Sequence, residues 1–334
     1  MSSQSVPPVL AEVTGGLGRL TLNRPAAINA LTAEMVGILR RTLADWSETD
    51  RVRAVLIDGA GPRGLCAGGD LRAMHADAVS GGTGSLDFWA DEYRLNAEIA
   101  GYPKPVVAFM DGLVMGGGIG VSAHASLRVV TERSRLAMPE VGIGFHPDVG
   151  GSWLLSRAPG EIGTHLALTG GTIGAADAIL AGLADVFVPS AHLPALAAAL
   201  QTADAAGTVA SFAAAPPPGD FPGSRTWIDE CYPGDDVAAI IDRLAASAAP
   251  GAQAAAKEIA TKSPTSLVVT LRSIRSAAGL ANLREALDRE YRLSAMLLRL
   301  PDLAEGIRAQ IIDKDRRPRW QPPTLAEVAP TPQP

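Results

Sequence analysis

The sequence predicts an α/β protein, with a β/α core through about residue 190 and a helical layer after it. Three observations carry that prediction. Short apolar runs such as "RAVLIDG" (53–59) and "KPVVAFMDG" (104–112) read as buried strands. Each run leads into a glycine turn, "LCAGGD" (65–70) or "VMGGG" (114–118), and then into a helix start. Beyond residue 234 the apolar residues recur at helical spacing. With 334 residues, 47% hydrophobic and 19% charged, the chain has the composition of a soluble globular protein with a large core.

Taken in order, "VLAEVT" and "RLTLNR" flank "GGLG" and predict a hairpin. Thr32 is placed to cap a helix through Trp46, with Met35, Leu39 and Leu43 on one face. A second helix is expected near Asp70, a short one in "GIGVSAHA", and strands in "SLRVVTE" and "RLAMP". From 191 to 234 the pattern degrades into alanine, proline and glycine, which predicts one short helix and then a long connecting loop. Asp235 or Asp236 precedes Val237, Ile240, Ile241 and Leu244. "SPTSLVVTLRSIRSA" opens with a serine cap, and "NLREALDREYRLSAMLLR" is strongly helical. The expected organisation is a core over 1–200, a connection over 201–234 and a helical region over 235–334.

The net charge of −6 argues against a nucleic-acid surface as the main function. Cys66 and Cys231 give neither a disulfide framework nor metal-ligand spacing, and the five histidines share no spacing, so no metal is expected. The first residues lack the charged start and apolar core of a signal peptide, and no apolar run reaches membrane-spanning length. A cytoplasmic protein is the expectation.

The glycine turns matter for chemistry. A backbone without Cβ admits a ligand closely, and the first N–H groups of a helix have no internal partner. Two such turns facing each other could offer two donors to one developing oxyanion. A dinucleotide fingerprint fails, because Ala123 stands where "GGGIG" needs its last glycine. A hydrolase elbow fails because Ser122 lies in "GVSAH".

"LTLNRPAAINAL", "LCAGGDL", "KPVVAFMDGLVMGGGIGVS" and "RLAMPEVGIGFHPDVGG", in this order and spacing, resemble the crotonase (enoyl-CoA hydratase/isomerase) superfamily over roughly residues 10–190. The resemblance implies a spiral of ββα units with a C-terminal α-helical region, acting on acyl-CoA thioesters, and a homotrimer or hexamer. It implies that the N–H groups of Gly69 and Gly117 hold the thioester oxygen. Of the two glutamates of typical hydratases, one matches Glu140 and the other falls at Gly120, which has no side chain.

"MPE" followed by "PDVGG", together with "DEYRLN", "EYRLS" and "EGIRAQIIDKDRRPRW", is similar to the 3-hydroxyisobutyryl-CoA hydrolase branch. That resemblance implies thioester hydrolysis in valine breakdown, with Glu140 as base or nucleophile. Asp148 and Glu92 would contact the substrate, Glu92 from a helix that otherwise reads as exposed. No cofactor is implied, CoA being part of the substrate. His146 is expected to line the site only, and Arg24, Arg63, Arg72 and Lys104 are candidates for the CoA phosphates. The alternatives are a hydratase or isomerase with an altered acid pair, and a non-catalytic acyl-CoA-binding protein.

Overall fold

A computed structural model describes residues 6–329. Residues 1–5, part of the stretch read for a targeting segment, lie outside the described residues. The chain opens with the hairpin β1 (Val9–Thr14) and β2 (Leu17–Leu22). The second strand starts two residues before Arg19, where it was expected, because Gly18 lies beneath Trp46: a Cβ there would stand 2.5 Å from the ring. Thr32 caps α1 (Ala33–Ser47), its hydroxyl accepting from the Met35 N–H at 3.3 Å.

Then follow β3 (Ala54–Gly59), α2 (Leu71–Ser80), α3 (Gly84–Ala100), β4 (Val106–Met110), β5 (Leu113–Met115) and the single turn α4 (Gly117–Gly120). The core ends with β6 (Leu127–Val130), β7 (Arg135–Ala137), α5 (Gly151–Leu155), α6 (Ile162–Thr169), α7 (Ala175–Leu180) and β8 (Val186–Phe187).

The main sheet runs β1-β2-β3-β4-β6-β8 and is parallel from β2 onward. Its middle strands are apolar throughout because both faces are covered. Alternation sorts them: Val55, Ile57, Val106, Ala108 and Val130 enter the large core, and Leu56, Val107, Phe109 and Val129 a smaller one. After each main strand the chain steps into a second, narrower layer. Cys66 pairs with Val114, Val114 with Leu136 across β5 and β7, and Leu136 with Ile173. This stepping is the spiral, and it sets successive turns side by side at one edge.

The smaller core corrects the reading of residues 191–234. Leu196, Ala197, Leu200, Ala205 and Val209 cover the outer face of the sheet from α8 (Leu193–Ala199) and α9 (Ala205–Phe212). Asp204 caps α9 by accepting from the Gly207 N–H at 2.7 Å, and α10 (Phe221–Cys231) has proline in its first turn. Only 213–219 remains extended. Alanine-rich composition hid helices that need little apolar surface of their own.

The last third comprises α11 (Val237–Ala246), α12 (Pro250–Ile259), α13 (Pro264–Ala277), α14 (Leu283–Leu297) and α15 (Pro301–Ile307), which runs on into a π-helical turn, Arg308–Ile312. Asp236 caps α11 and Ser263 caps α13. Their apolar faces join the large core, so the helical layer and the spiral share one interior.

Candidate active site

The spiral builds one wall of the site from backbone. Because Cys66, Val114 and Leu136 lie abreast, the residues three or four beyond them emerge together: Gly69, Gly117 and Glu140. Gly68 and Gly116 turn the chain at φ +103° and +50°, a region that disfavours side chains. The two turns touch, since a Cβ on Gly68 would lie 3.7 Å from the Gly117 nitrogen. The Gly69 N–H makes no backbone hydrogen bond, and Gly117 opens α4 with its N–H unpartnered.

The opposite wall is made of side chains. Glu92 comes from α3 and Asp148 from the loop leading into α5, and they face Glu140, which the spiral carries on a 3-10 turn at Glu140–Ile143. All three line the same cavity of ≈ 580 Å³ as Gly69 and Gly117. The exposed helix that was the rival reading for Glu92 is not what the structure has: Glu92 is only 2% exposed. Its helix is clasped between α1 and α14, so both faces are covered. One oxygen of Glu92 and one of Glu140 have no hydrogen-bond partner. Glu92 Oε1 is close enough to α4 to stand 2.5 Å from a Cβ on Gly117, and Glu140 Oε1 is 2.8 Å from one on Gly116. Side chains at either glycine would collide with the acids.

Gly120 marks where the site departs from a two-glutamate arrangement. A Cβ there would lie 2.7 Å from Val149 Cβ and 2.8 Å from Asn96 Nδ2, so other residues already fill the space.

Burial without a cation dominates the electrostatics. Desolvation, then the neighbouring Asp148, holds Glu92 well above the usual carboxylate range. Glu140 is raised for the same two reasons. Burial pushes Asp148 up to about 7, although the Tyr93 hydroxyl, donating at 2.7 Å, works the other way. Repulsion from neighbouring carboxylates thus adds to burial in disfavouring ionisation of Glu92 and Glu140. His146 is fully buried and its pKa is pushed down to about 3, so it stays neutral. It is not among the residues that line the cavity, and neither is any of the other four histidines.

The four cations considered from sequence are engaged elsewhere or absent from the lining. Arg24 bonds the Ala30 carbonyl and Asp70, Arg63 the carbonyls of Pro25 and Ala26, and Lys104 those of Trp46 and Thr49. The cations at the cavity are Lys262 and Arg316, which sequence reading missed because neither lies in a segment near the acids. Trp89 and Phe145, stacked 5.0 Å apart, form its apolar side. The "DKD" of the tail is structural. Asp313 and Asp315 both accept from Arg308, at 2.6 and 2.7 Å, and with Trp320 bonded to the Thr261 carbonyl they hold the tail beside the cavity, where Gln310, Ile311 and Arg316 join the lining.

A family model described as enoyl-CoA hydratase/isomerase matches residues 17–332. The 3-hydroxyisobutyryl-CoA hydrolase, mitochondrial, of Rattus norvegicus is 40% identical over 96% of this chain and 86% of its own. Among solved structures, a carnitinyl-CoA dehydratase from Mycobacterium thermoresistibile superposes with TM-score 0.94 at 53% identity, over 97% of this chain and 94% of its own. An enoyl-CoA hydratase from Rhodobacter sphaeroides does so with TM-score 0.91 at 45% identity, over 97% and 95%. The expected cytoplasmic location is corrected by the first of these, since the curated relatives are mitochondrial proteins. Two free cysteines speak for a reducing environment, and that property does not distinguish cytosol from organelle interior.

Proposed function

The chain belongs to the enoyl-CoA hydratase/isomerase family, and we propose that within it the protein is an acyl-CoA thioester hydrolase acting on 3-hydroxyisobutyryl-CoA. The curated relatives support the reaction. The observation that carries it is the acid set: Gly120 offers no side chain and no room for one, and the second acid enters instead from Asp148. Hydration of an enoyl group needs an acid and a base around one water, and here the glutamate pair of a typical hydratase is replaced by Glu140 with Asp148, which enters from a different loop.

In this reading the thioester oxygen lies between the N–H groups of Gly69 and Gly117. Both donors are held by the spiral before substrate arrives, so no reorganisation is needed as charge develops. Glu140 ionises and removes a proton from water, whose oxygen attacks the carbonyl carbon. The tetrahedral oxyanion collapses, the C–S bond breaks, and the CoA sulfur takes the proton from Glu140. Alternatively the ionised Glu140 attacks the carbonyl carbon itself, the C–S bond breaks and the CoA thiolate leaves; water then cleaves the anhydride to the free acid and the Glu140 carboxylate, its proton passing to the thiolate. A single turnover in ¹⁸O-water, followed by mass analysis of the Glu140 peptide, separates the routes: label enters the carboxylate only through the anhydride. Asp148 and Glu92 face the acyl end, where the substrate hydroxyl would donate to Asp148. Lys262 and Arg316 stand where the CoA phosphates would emerge.

The finer reading places the reaction in valine breakdown. As for a trimer or hexamer, among the described residues only Val6, Val79 and Ile312 are large hydrophobics left exposed, so such an assembly would join through polar faces. Sedimentation measures it.

A second reading, hydration or dehydration of an acyl-CoA, is favoured by the names of the two solved relatives. Two assays on one preparation decide. Thiol release from (S)-3-hydroxyisobutyryl-CoA with negligible loss of crotonyl-CoA absorbance supports the hydrolase. Hydration without thiol release overturns it.

A further inference from the structure

Two segments of the sequence share a pattern that the reaction above leaves unused. "EYRLN" (92–96) and "EYRLS" (290–294) differ only in their last residue. They lie on α3 and α14, which pack together, with Tyr93 and Tyr291 edge to face at 6.4 Å. In each, the first and last residues sit four apart on one helical face, and all four are buried. Both faces grip the loop that carries Asp148. Asn96 and Val149 both press on Gly120, where a Cβ would stand 2.8 Å from Asn96 Nδ2 and 2.7 Å from Val149 Cβ. Glu290 accepts from the Gly150 and Ser152 N–H groups at 2.7 and 2.9 Å and from the Ser152 hydroxyl.

Asp148 itself ends a buried line of hydrogen bonds. Tyr93 OH lies 2.7 Å from Asp148 Oδ2, Ser294 Oγ 2.8 Å from Tyr93 OH, and His146 Nε2 3.0 Å from Ser294 Oγ. Each hydroxyl carries one hydrogen, which fixes the direction when Asp148 is ionised. Tyr93 gives its hydrogen to Asp148, so it accepts from Ser294. Ser294 has then spent its own, so it accepts from His146 Nε2–H. His146 Nδ1 is left as a bare acceptor, in agreement with its lack of a partner. Every donor in the line points toward the carboxylate.

We propose that α14 is part of the active site: Tyr93 and Ser294 are positioning residues that hold Asp148 ionised and aimed at the substrate hydroxyl, while Glu290 anchors the loop behind it. The groups facing Asp148 explain why such a line is needed. Glu92 and Tyr93 approach from α3, Glu140 from its 3-10 turn, Glu290 from α14, His146 from the same loop, and His124 bonds the Val149 carbonyl at 2.8 Å. None is a cation at neutral pH, His124 being pushed down to about 4. Lys262 and Arg316 line the same cavity but are not among these contacting groups, so the hydrogen bonds that favour the charged form come from neutral donors, Tyr93 first. The inference rests on the hydrolase reading for its substrate, but not for its geometry.

The test is the pH profile of thiol release from 3-hydroxyisobutyryl-CoA for the wild type, Tyr93→Phe, Ser294→Ala and the double variant. Loss of one hydrogen bond to a charged group predicts that the acid limb moves up by about 1–2 pH units in Tyr93→Phe, with the high-pH plateau nearly kept. Ser294→Ala moves it the same way by less, and the double variant no further than Tyr93→Phe, since Ser294 acts through Tyr93. A fall of rate at every pH with an unmoved limb means a merely structural role and overturns the proposal. The ¹³Cγ titration of Asp148, assigned against Asp148→Asn, reads the same shift without turnover. A shift there without thiol release by the wild type sinks the hydrolase reading and leaves the positioning role standing. Should Tyr93→Phe fail to fold, Ser294→Ala, which removes one small hydroxyl, decides on both readouts.

Discussion

The two walls of the cavity are made differently. One is backbone: three adjacent turns of the spiral deliver Gly69, Gly117 and Glu140 to one edge, in an order set by strand pairing. The other is side chain: α3, α14 and the Asp148 loop meet through hydrogen bonds between residues as far apart as Tyr93 and Ser294. On the proposed reading the first wall would address only the carbonyl and so suit any thioester. The second would address the acyl group, and it differs most from a two-glutamate site. Common activation and particular selection would then lie on separate parts of the fold.

Changes to each wall should fail in different ways. Glu140→Gln removes the group that handles the proton or forms the bond, and thiol release should drop by ~10²–10⁴-fold. The variant should unfold no lower than the wild type, because a buried acid has become a neutral amide. Gly117→Ala places a Cβ against Glu92 and shifts the donor, for an expected loss of about 10²-fold in kcat/KM. Rate and melting temperature measured together separate this from simple misfolding. Gly120→Glu tests whether a hydratase can be restored. With Val149 and Asn96 in the space it should cost about 1–3 kcal/mol of stability and bring no hydration of crotonyl-CoA.

The smallest effect concerns pH and stability. Burial sets the folded-state values of Asp148 near 7 and Glu290 near 8, above the ~4 of exposed carboxylates. Between these limits the native state binds more protons than the unfolded chain, so stability falls as pH rises from about 5 to 8. Asp148→Asn should flatten that slope, as thermal unfolding across the range would record.

The backbone wall was legible in the sequence because local chemistry writes it. Glycine turns after apolar strands, and an acid after a proline, are short-range signals. The second wall was legible only in part. Asp148 and Glu92 stood out by resemblance, but "DEYRLN" read as an exposed helix since nothing nearby reveals that α14 will cover it. Tyr93, Ser294 and Glu290 were visible as letters, and their meeting depends on packing across some 200 residues of chain. The helices of 205–231 were missed for other reasons: in α9 alanine keeps helical propensity without an apolar stripe, and α10 opens with "FPGS", which reads as a turn although proline suits a helix's first turn.

The most direct measurement is the ratio of kcat/KM for 3-hydroxyisobutyryl-CoA over isobutyryl-CoA, in the wild type and in Asp148→Asn. If the side-chain wall selects the hydroxyl, the wild type prefers the hydroxylated substrate and the variant narrows that preference by ~10–100-fold, the worth of one hydrogen bond to a charged group. Equal losses on both substrates, with the ratio unchanged, would contradict the division between the walls.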